Sequence, residues 1–128
     1  MRRAPLLGAL VAGIALLAAG ASDSLGAGAH AAKAGSNLQV TLVEYRLMLS
    51  EAVVKAGPVS LEAIDSGMDP HDLRLRRGRS GAAIAEPQLT SGQRLDAVVD
   101  LAPGVYHLWC SLPQHWKLGM RATLRVIP

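Results

Sequence analysis

Cysteine and aromatic residues are both scarce in this sequence. Its 128 residues include a single Cys, so no disulfide can form within the chain. A disulfide-stapled mini-protein and a multi-cluster metalloprotein are therefore both excluded. There is no Phe, and Trp and Tyr occur only twice each, so the core has to be built from aliphatic side chains. The length allows about one domain.

Charge of either sign is also limited. The 13 basic and 10 acidic residues leave a formal net charge of +3, and only 18% of the residues are charged. Such a weak and dispersed positive charge does not indicate a nucleic-acid-binding protein. Because 50% of the residues are hydrophobic, intrinsic disorder of the whole chain is not expected either.

The N-terminal segment has the pattern of a secretory signal. Arg2 and Arg3 precede an apolar run over residues 6–21 that ends in Ala19-Gly20-Ala21, a small-x-small cleavage motif. We predict a signal peptide over 1–21, a flexible leader over 22–36 and a folded domain over 37–128. The alternative is an uncleaved membrane anchor, but the run is short for a span of about 20 residues. The expected location is periplasmic or secreted, with no membrane span after cleavage and membrane anchoring only if the segment is retained.

From residue 38 onward the hydrophobic residues recur with a period of two. Leu38, Val40 and Leu42 fall on one side of the first such run, and clusters of Gly, Pro, Ser and Asp separate it from the next runs. Six or more short strands without a long helical window predict an all-β sandwich or small barrel. The longest irregular stretch is 78–92, within which residues 82–85 could form one helical turn.

Three metal-binding side chains recur at five-residue steps near the C-terminus. Cys110, His115 and Met120 offer a thiolate, an imidazole and a thioether on one loop between two predicted strands, where a turn can direct all three to a common centre. His71, at the start of an earlier strand, offers a second imidazole. Two imidazoles and a thiolate in a trigonal plane, with a weak axial thioether, make a blue-copper site. Zinc is more often held by several Cys and His, and a Met ligand would be unusual for it.

Each of these residues also has an ordinary explanation when it is taken alone. A single Cys is most often a buried small hydrophobic residue, the methionine could be core packing, and the two histidines could be loop residues. Their combination favours the metal site. The other histidines are not candidate ligands, because His30 lies in the leader and His107 should face away from Cys110 on its strand.

The same residues resemble the cupredoxins. Residues 104–110, GVYHLWC, are similar to the Gly-x-Tyr-x-aromatic-x-Cys strand of that family, although Leu108 stands at the aromatic position. Cys110-x4-His115-x4-Met120 and Pro70-His71-Asp72 resemble its ligand motifs. The resemblance covers residues 38–128. It implies a Greek-key β-sandwich holding one type 1 copper ion, with the ligands His71, Cys110, His115 and Met120. It further implies transfer of single electrons between redox partners.

Two departures from the family pattern lie beside the candidate ligands. Asp72 stands where the family usually has Asn or another neutral polar residue, and its side chain could accept a hydrogen bond from Ser111 that ties the two ligand loops together. Gln114 precedes His115 where many relatives have Gly.

The function expected from these residues is electron transfer and not catalysis. A copper oxidase or nitrite reductase needs a second copper centre with further histidines, which this chain lacks. The main alternative is a periplasmic copper-binding protein for delivery or storage. Such proteins tend to use clusters of Met and His, whereas Met48 and Met68 are isolated in the sequence. A metal-free adhesion module is disfavoured by the Cys, His and Met set.

We expect a monomer whose redox partners dock near His115 and Trp116. This loop has apolar residues that suit a small transient interface. They are Leu112, Pro113, Trp116 and Leu118. A basic cluster lies near the strand that follows His71. It consists of Arg74, Arg76, Arg77 and Arg79. These arginines are either charges on a solvated sheet edge or a docking patch for an acidic redox partner.

Overall fold

Nine β-strands and no helix make up the part of the chain that the structure describes. The computed structural model describes residues 35–128, so the predicted signal peptide, almost all of the predicted leader and His30 lie outside the described residues. The strands are β1 (Ser36–Val43), β2 (Arg46–Leu49), β3 (Val53–Lys55), β4 (Gly57–Asp65), β5 (Arg74–Arg77), β6 (Ala83–Ala85), β7 (Arg94–Leu101), β8 (Gly104–Trp109) and β9 (Arg121–Ile127). Over this range, no helix has the length and apolar character that a membrane crossing requires.

The strands form two sheets of mixed direction. One has four strands in the order β2-β1-β4-β7, and the other has five in the order β3-β9-β8-β5-β6. The pairs β1–β4 and β3–β9 are parallel, and the remaining pairs are antiparallel. The connections between neighbouring strands therefore repeatedly cross from one sheet to the other, which is the topology of a Greek-key sandwich.

A single aliphatic core lies between the sheets. The period of two places alternate residues of each strand inward: Leu38, Val40 and Leu42 of β1 are fully buried, and Leu108 and Leu124 face them from the five-stranded sheet. The core is built mainly from Leu and Val, as the shortage of aromatics predicts. The predicted all-β sandwich is therefore confirmed.

Two sequence interpretations of the segment after His71 are wrong. Residues 83–85 form β6 and not a helical turn, because they pair with β5, where Ile84 lies opposite Leu75. The arginines of β5 are also not on a sheet edge, since β5 lies between β8 and β6. Blunting of an exposed edge therefore does not explain the charge of Arg74–Arg77.

One end of the sandwich brings together the ends of several strands. The first residue of β5, the last of β8 and the first of β9 are in register, with Arg74 opposite Trp109 and Trp109 opposite Arg121. In the other sheet, β1 and β4 run parallel and end together, with Leu42 opposite Asp65. The loops that carry the candidate ligands meet at this end.

Candidate metal centre

His71 lies in the connection between β4 and β5 with its main chain held in place. Its amide donates to the carbonyl of Leu89 at 3.0 Å, and the amide of Leu89 donates back to His71 at 2.7 Å. The side chain is fully buried. The backbone hydrogen bonds fix where this segment runs, and burial encloses the imidazole within the fold.

The three other candidate ligands share the loop between β8 and β9. The amide of Cys110 donates to the carbonyl of Met120 at 3.1 Å, which extends the β8–β9 ladder beyond the last paired strand residues. The amide of Met120 in turn donates to the carbonyl of His115 at 3.0 Å. Backbone hydrogen bonds thus link all three residues directly, so the loop holds their spacing.

The same loop contains two residues with positive φ. Gly119 has a φ of 112°, which glycine adopts without steric cost. Gln114 has a φ of 70°, a left-handed conformation that costs a residue with a Cβ about 1 kcal/mol. Gln114 is one of the two positions at which the sequence departs from the cupredoxin pattern that it resembles, and the backbone has there the conformation that glycine would favour.

The donor atoms of His71, Cys110 and His115 converge on one point. They all lie within 4.8 Å of one another. The two Nδ1 atoms are 3.2 Å apart, and the Cys110 Sγ is 3.5 Å from the His115 Nδ1. Donors that bind one ion in a trigonal plane at bond lengths of about 2.1 Å would be about 3.6 Å apart. The spacing therefore fits a single metal ion.

Met120 lies next to this cluster, with its side chain fully buried. Its main chain bonds to both Cys110 and His115, as described above. Two imidazoles, one thiol and one thioether form a mixed hard and soft donor set, which suits copper better than it suits zinc or a purely oxygen-seeking cation. The residues present thus fit a copper ion.

The far side of the His71 ring faces carboxylates. Its Nε2 lies 3.4 Å from the Glu44 Oε1 and 3.9 Å from the Asp65 Oδ1, yet it makes no hydrogen bond. Gly67 closes this space, because a Cβ there would lie 2.5 Å from Glu44 Oε1 and 2.7 Å from His71 Nε2. A carboxylate beside Nε2 favours the tautomer that carries its proton on Nε2, which leaves Nδ1 free to bind a metal.

Glu44 is held as an anion at this place. Its Oε1 accepts hydrogen bonds from the amides of Met68 and Asp69, both at 2.6 Å. Hydrogen bonding, above all from the Asp69 amide, lowers the pKa of Glu44 to about 2. The same two bonds fix the segment that leads into His71, so Glu44 both orders that segment and places a negative charge beside the ring.

Asp72 ties the two ligand loops together. Its Oδ1 accepts a hydrogen bond from the Ser111 amide at 2.6 Å, and its Oδ2 accepts one from the Ser111 hydroxyl and another from Arg74 Nε at 3.1 Å. Burial raises the pKa of this carboxyl, but the hydrogen bonds from Ser111, Cys110 and Arg74 outweigh burial and lower the pKa overall. The link between Asp72 and Ser111 that the sequence suggested is therefore present.

The Cys110 sulfur is enclosed. Burial is the largest cause of a raised pKa for its thiol, although the amides of Asp72 and Leu112 act in the opposite direction. The Asp72 amide lies 3.5 Å from the sulfur. A metal ion would have to displace the thiol proton on binding, so affinity should fall in acid.

His115 is in a much more open place. Its side chain is partly buried and contacts the ring of Tyr45 edge-on, with the ring centroids 5.0 Å apart. Beyond it, Trp116 and Leu118 are 50% and 57% exposed. Leu112, by contrast, packs partly against the core.

Sequence reasoning missed the residues behind His71. Glu44 and Asp65 are 27 and 6 residues away along the chain, and neither belongs to a recognisable motif. They meet because β1 and β4 are parallel neighbours, so that Glu44, just past the end of β1, lies beside the end of β4. Strand order in a sheet has no local sequence signal.

Comparison with known proteins gives one consistent result. No family model matches the sequence, and no curated protein matches it significantly. Among solved structures, auracyanin B superposes with a TM-score of 0.60 at 18% identity, covering 74% of this chain and 91% of that one. An auracyanin from Roseiflexus castenholzii gives 0.58 at 17% identity, covering 74% and 99%. A variant of amicyanin gives 0.55 at 22% identity, covering 70% and 81%.

These proteins are cupredoxins, and so is a purple cupredoxin from Nitrosopumilus maritimus with a TM-score of 0.51 and 20% identity, covering 70% of this chain and 98% of that one. The described part of this chain therefore has the cupredoxin fold. The cluster of His71, Cys110 and His115, with Met120 beside it, occupies one end of that fold.

Proposed function

We propose that this chain binds one type 1 copper ion through His71, Cys110, His115 and Met120 and carries single electrons between redox partners. The observation that carries this proposal is the convergence of two imidazole nitrogens and one thiol sulfur within 4.8 Å, beside a buried thioether. A bound copper ion would supply the one-electron chemistry by alternating between Cu(I) and Cu(II). The similarity in fold to auracyanin and amicyanin supports the same function.

The protein's part is to keep the donors still while the charge of the site changes. Thiolate and thioether suit Cu(I), and imidazole is acceptable to Cu(II), so one arrangement serves both states. The hydrogen bonds of Cys110 and Met120 fix one loop, those of His71 fix the other, and Asp72 joins the loops through Ser111. This frame resists rearrangement, which favours fast electron exchange.

An electron carrier fits the described residues better than an enzyme does. Among residues 35–128, the only further imidazole is that of His107, which is exposed on the opposite face of β8 from Cys110. A second copper centre would need several more. The proposal is therefore one copper ion, without catalysis in this chain.

The remaining features of the proposal concern location and partners. We propose export by a signal peptide over 1–21, a leader over 22–36 and a copper domain over 37–128, acting as a monomer in the periplasm or outside the cell. Partners would dock where His115 approaches the surface between exposed Trp116 and Leu118. Leu112 is withdrawn from this face, since it packs against the core.

Copper delivery or storage is the alternative. Two methionines, Met48 and Met68, are 43% and 90% exposed, as a copper-capturing surface would require. They lie on β2 and in the β4–β5 connection, without the clustering typical of such proteins. A delivery protein would hold colourless Cu(I), whereas the electron carrier would be intensely coloured when oxidised.

The test is the visible spectrum of the Cu(II)-loaded protein. We expect one bound copper per chain and a strong thiolate-to-copper charge-transfer band, and we expect Cys110→Ser to abolish that band. His107→Ala is the matched control, because it removes an imidazole from the exposed side of the strand and should leave the band unchanged. A folded Cys110→Ser protein with an unaltered band would refute the site.

A further inference from the structure

The two sheets carry opposite charge. The strands of the five-stranded sheet, β3, β5, β6, β8 and β9, contain six Lys or Arg and no Asp or Glu. The strands of the four-stranded sheet contain four acidic residues and two Arg. The small net charge of the chain thus conceals one strongly basic sheet.

Basic and aromatic side chains alternate across the outer face of the five-stranded sheet. One row, nearest the candidate metal centre, runs from Arg74 through Trp109 to Arg121, and the next runs from Arg76 through His107 to Thr123. The guanidinium of Arg76 lies over the ring of Trp109, 5.2 Å from its centroid. Such stacking orients a guanidinium while leaving its edge free to bind an anion.

A groove crosses these rows, and the ligand loop closes one side of it. Trp116, from that loop, and Trp109, from β8, both line the groove, and Arg121 lies over the Trp116 ring at 5.0 Å. The part beside Arg121 has a volume of about 430 Å³, and the part beside Arg76 and Arg79 has about 260 Å³. Both parts are lined by the two Trp rings and His107.

The arginines in the groove have no acidic partners among the described residues. Arg74 pairs with Asp72, and Arg94 on the other sheet pairs with Glu62, but Arg76, Arg79 and Arg121 form no ion pair within residues 35–128. The Nε of Arg76 is buried and makes no hydrogen bond. Its Nη1 lies 3.5 Å from the Arg79 carbonyl, so the charge of this guanidinium is not neutralised by any described acidic side chain.

From these observations we infer that the basic groove between Trp109 and Trp116 is a docking site for an acidic partner protein, whose carboxylates pair with Arg76, Arg79 and Arg121. Charge complementarity selects the partner: a positive groove without acidic residues on its strands attracts carboxylates and repels basic proteins. Ion pairs of this kind accelerate association and weaken as salt is added.

The inference rests on the proposed function, since it identifies the chemistry of the redox partner. Trp109 is bonded directly to Cys110, so a protein seated in the groove would lie one residue from a candidate copper ligand. Trp116 belongs both to this groove and to the apolar surface around His115. A partner could therefore contact the apolar surface and the basic groove together.

Tryptophan fluorescence offers a direct test, because both Trp residues of the chain line the groove. The purified full-length protein, kept reduced, is titrated with poly-L-glutamate at low ionic strength. We expect a saturable change in fluorescence that weakens as salt is added. Poly-L-lysine and free glutamate at matched concentration should produce no such change, which distinguishes a protein-like polyacid from a simple anion.

The double variant Arg76→Gln/Arg121→Gln should bind poly-L-glutamate about tenfold more weakly. The matched control, Arg46→Gln/Arg94→Gln, removes the two arginines on the strands of the other sheet and should bind as the parent does. Equal affinity of parent and groove variant would overturn the inference, and so would tighter binding of a single-stranded oligonucleotide than of the polyacid.

Failure of the proposed function would look different from failure of this inference. The titration needs no copper. If the protein lacks the charge-transfer band but binds the polyacid through Arg76 and Arg121, the copper function is refuted and the docking site is not. If the band is intact but the groove variant binds the polyacid as tightly as the parent does, the docking site is refuted and the copper function is not.

Discussion

His71 and His115 offer the same chemical group in contrasting surroundings. His71 is fully buried and has Glu44 and Asp65 behind its ring. His115 is partly exposed, with Trp116 and Leu118 projecting beside it. One histidine is therefore enclosed by acidic side chains inside the fold, and the other faces the surface beside apolar and basic residues.

The difference indicates a division of labour within the proposed copper site. Negative charge behind His71 would stabilise the more highly charged Cu(II) state of a bound copper ion. The His115 imidazole has no hydrogen bond to a carboxylate among the described contacts, and its partial exposure would let a partner approach the site. We call the β4–β5 connection that carries His71 the buried loop, and the β8–β9 loop that carries His115 the open loop. The buried loop would set the reduction potential, and the open loop would pass the electron to a partner.

Removal of each histidine in turn should give the largest difference between the two positions. His115→Gly opens a gap at the surface, so the charge-transfer band should be lost and then restored by millimolar imidazole from solution. His71→Gly should lose the band without rescue, because its ring position is fully enclosed. Both spectra are recorded with and without imidazole, alongside circular dichroism to verify folding.

Equal rescue of both variants would show that the two positions are equally open, contrary to their burial. Rescue of neither would place the His115 ring deeper than its surroundings indicate. His107→Gly, from the exposed side of β8, is the control that should keep its band without any addition.

Met120 belongs to the open loop by sequence and to the buried interior by position. If its thioether is the weak axial ligand, Met120→Gln should lower the reduction potential and Met120→Leu should raise it, because an oxygen donor favours Cu(II) and loss of the donor favours Cu(I). We expect about 60 mV or more, a tenfold change in the Cu(I) to Cu(II) ratio.

Protein-film voltammetry of both variants measures this effect. Met68→Leu is the control, since Met68 is 90% exposed and should leave the potential unchanged. If both Met120 variants kept the reduction potential of the parent, Met120 would only pack in the core and would not be a ligand.

The open loop was far easier to predict from the sequence than the buried one. The spacing of Cys110, His115 and Met120 is local, and the alternation along β8 correctly places Cys110 inward and His107 outward. Period-two patterns likewise anticipate the sandwich, because alternation reflects the two faces of a strand. The helical turn over 82–85 failed because pairing with β5 outweighs local preference.

Contacts between distant segments had no comparable signal. Glu44 reaches His71 through the parallel pairing of β1 and β4, and Trp116 and Trp109 line one groove although they belong to the ligand loop and to β8. The basic cluster was visible as Arg74–Arg79, but Arg74 turns to Asp72, and Arg121 from β9 takes part in the groove instead. The sequence indicates where charges lie and which residues alternate along a strand, whereas contacts between distant segments depend on the order of strands in the sheets.

Replacement of Glu44 should give the smallest effect, a shift in reduction potential caused by one charge beside His71. Glu44→Gln keeps an oxygen that can accept from the Met68 and Asp69 amides but removes the negative charge beside His71. A unit charge roughly 7 Å from the ion, screened as in bulk water, corresponds to about 0.6 kcal/mol or about 25 mV, so the potential should rise by about that amount. Because the pKa of Glu44 is lowered to about 2, its charge persists above pH 5, and the difference in potential between variant and parent should be constant from pH 5 to pH 8.

Glu51→Gln, beside the far end of β9, is the matched control and should shift the potential less. A fall in potential, or an equal rise in both variants, would mean that the carboxylate behind His71 orders its segment without tuning the site.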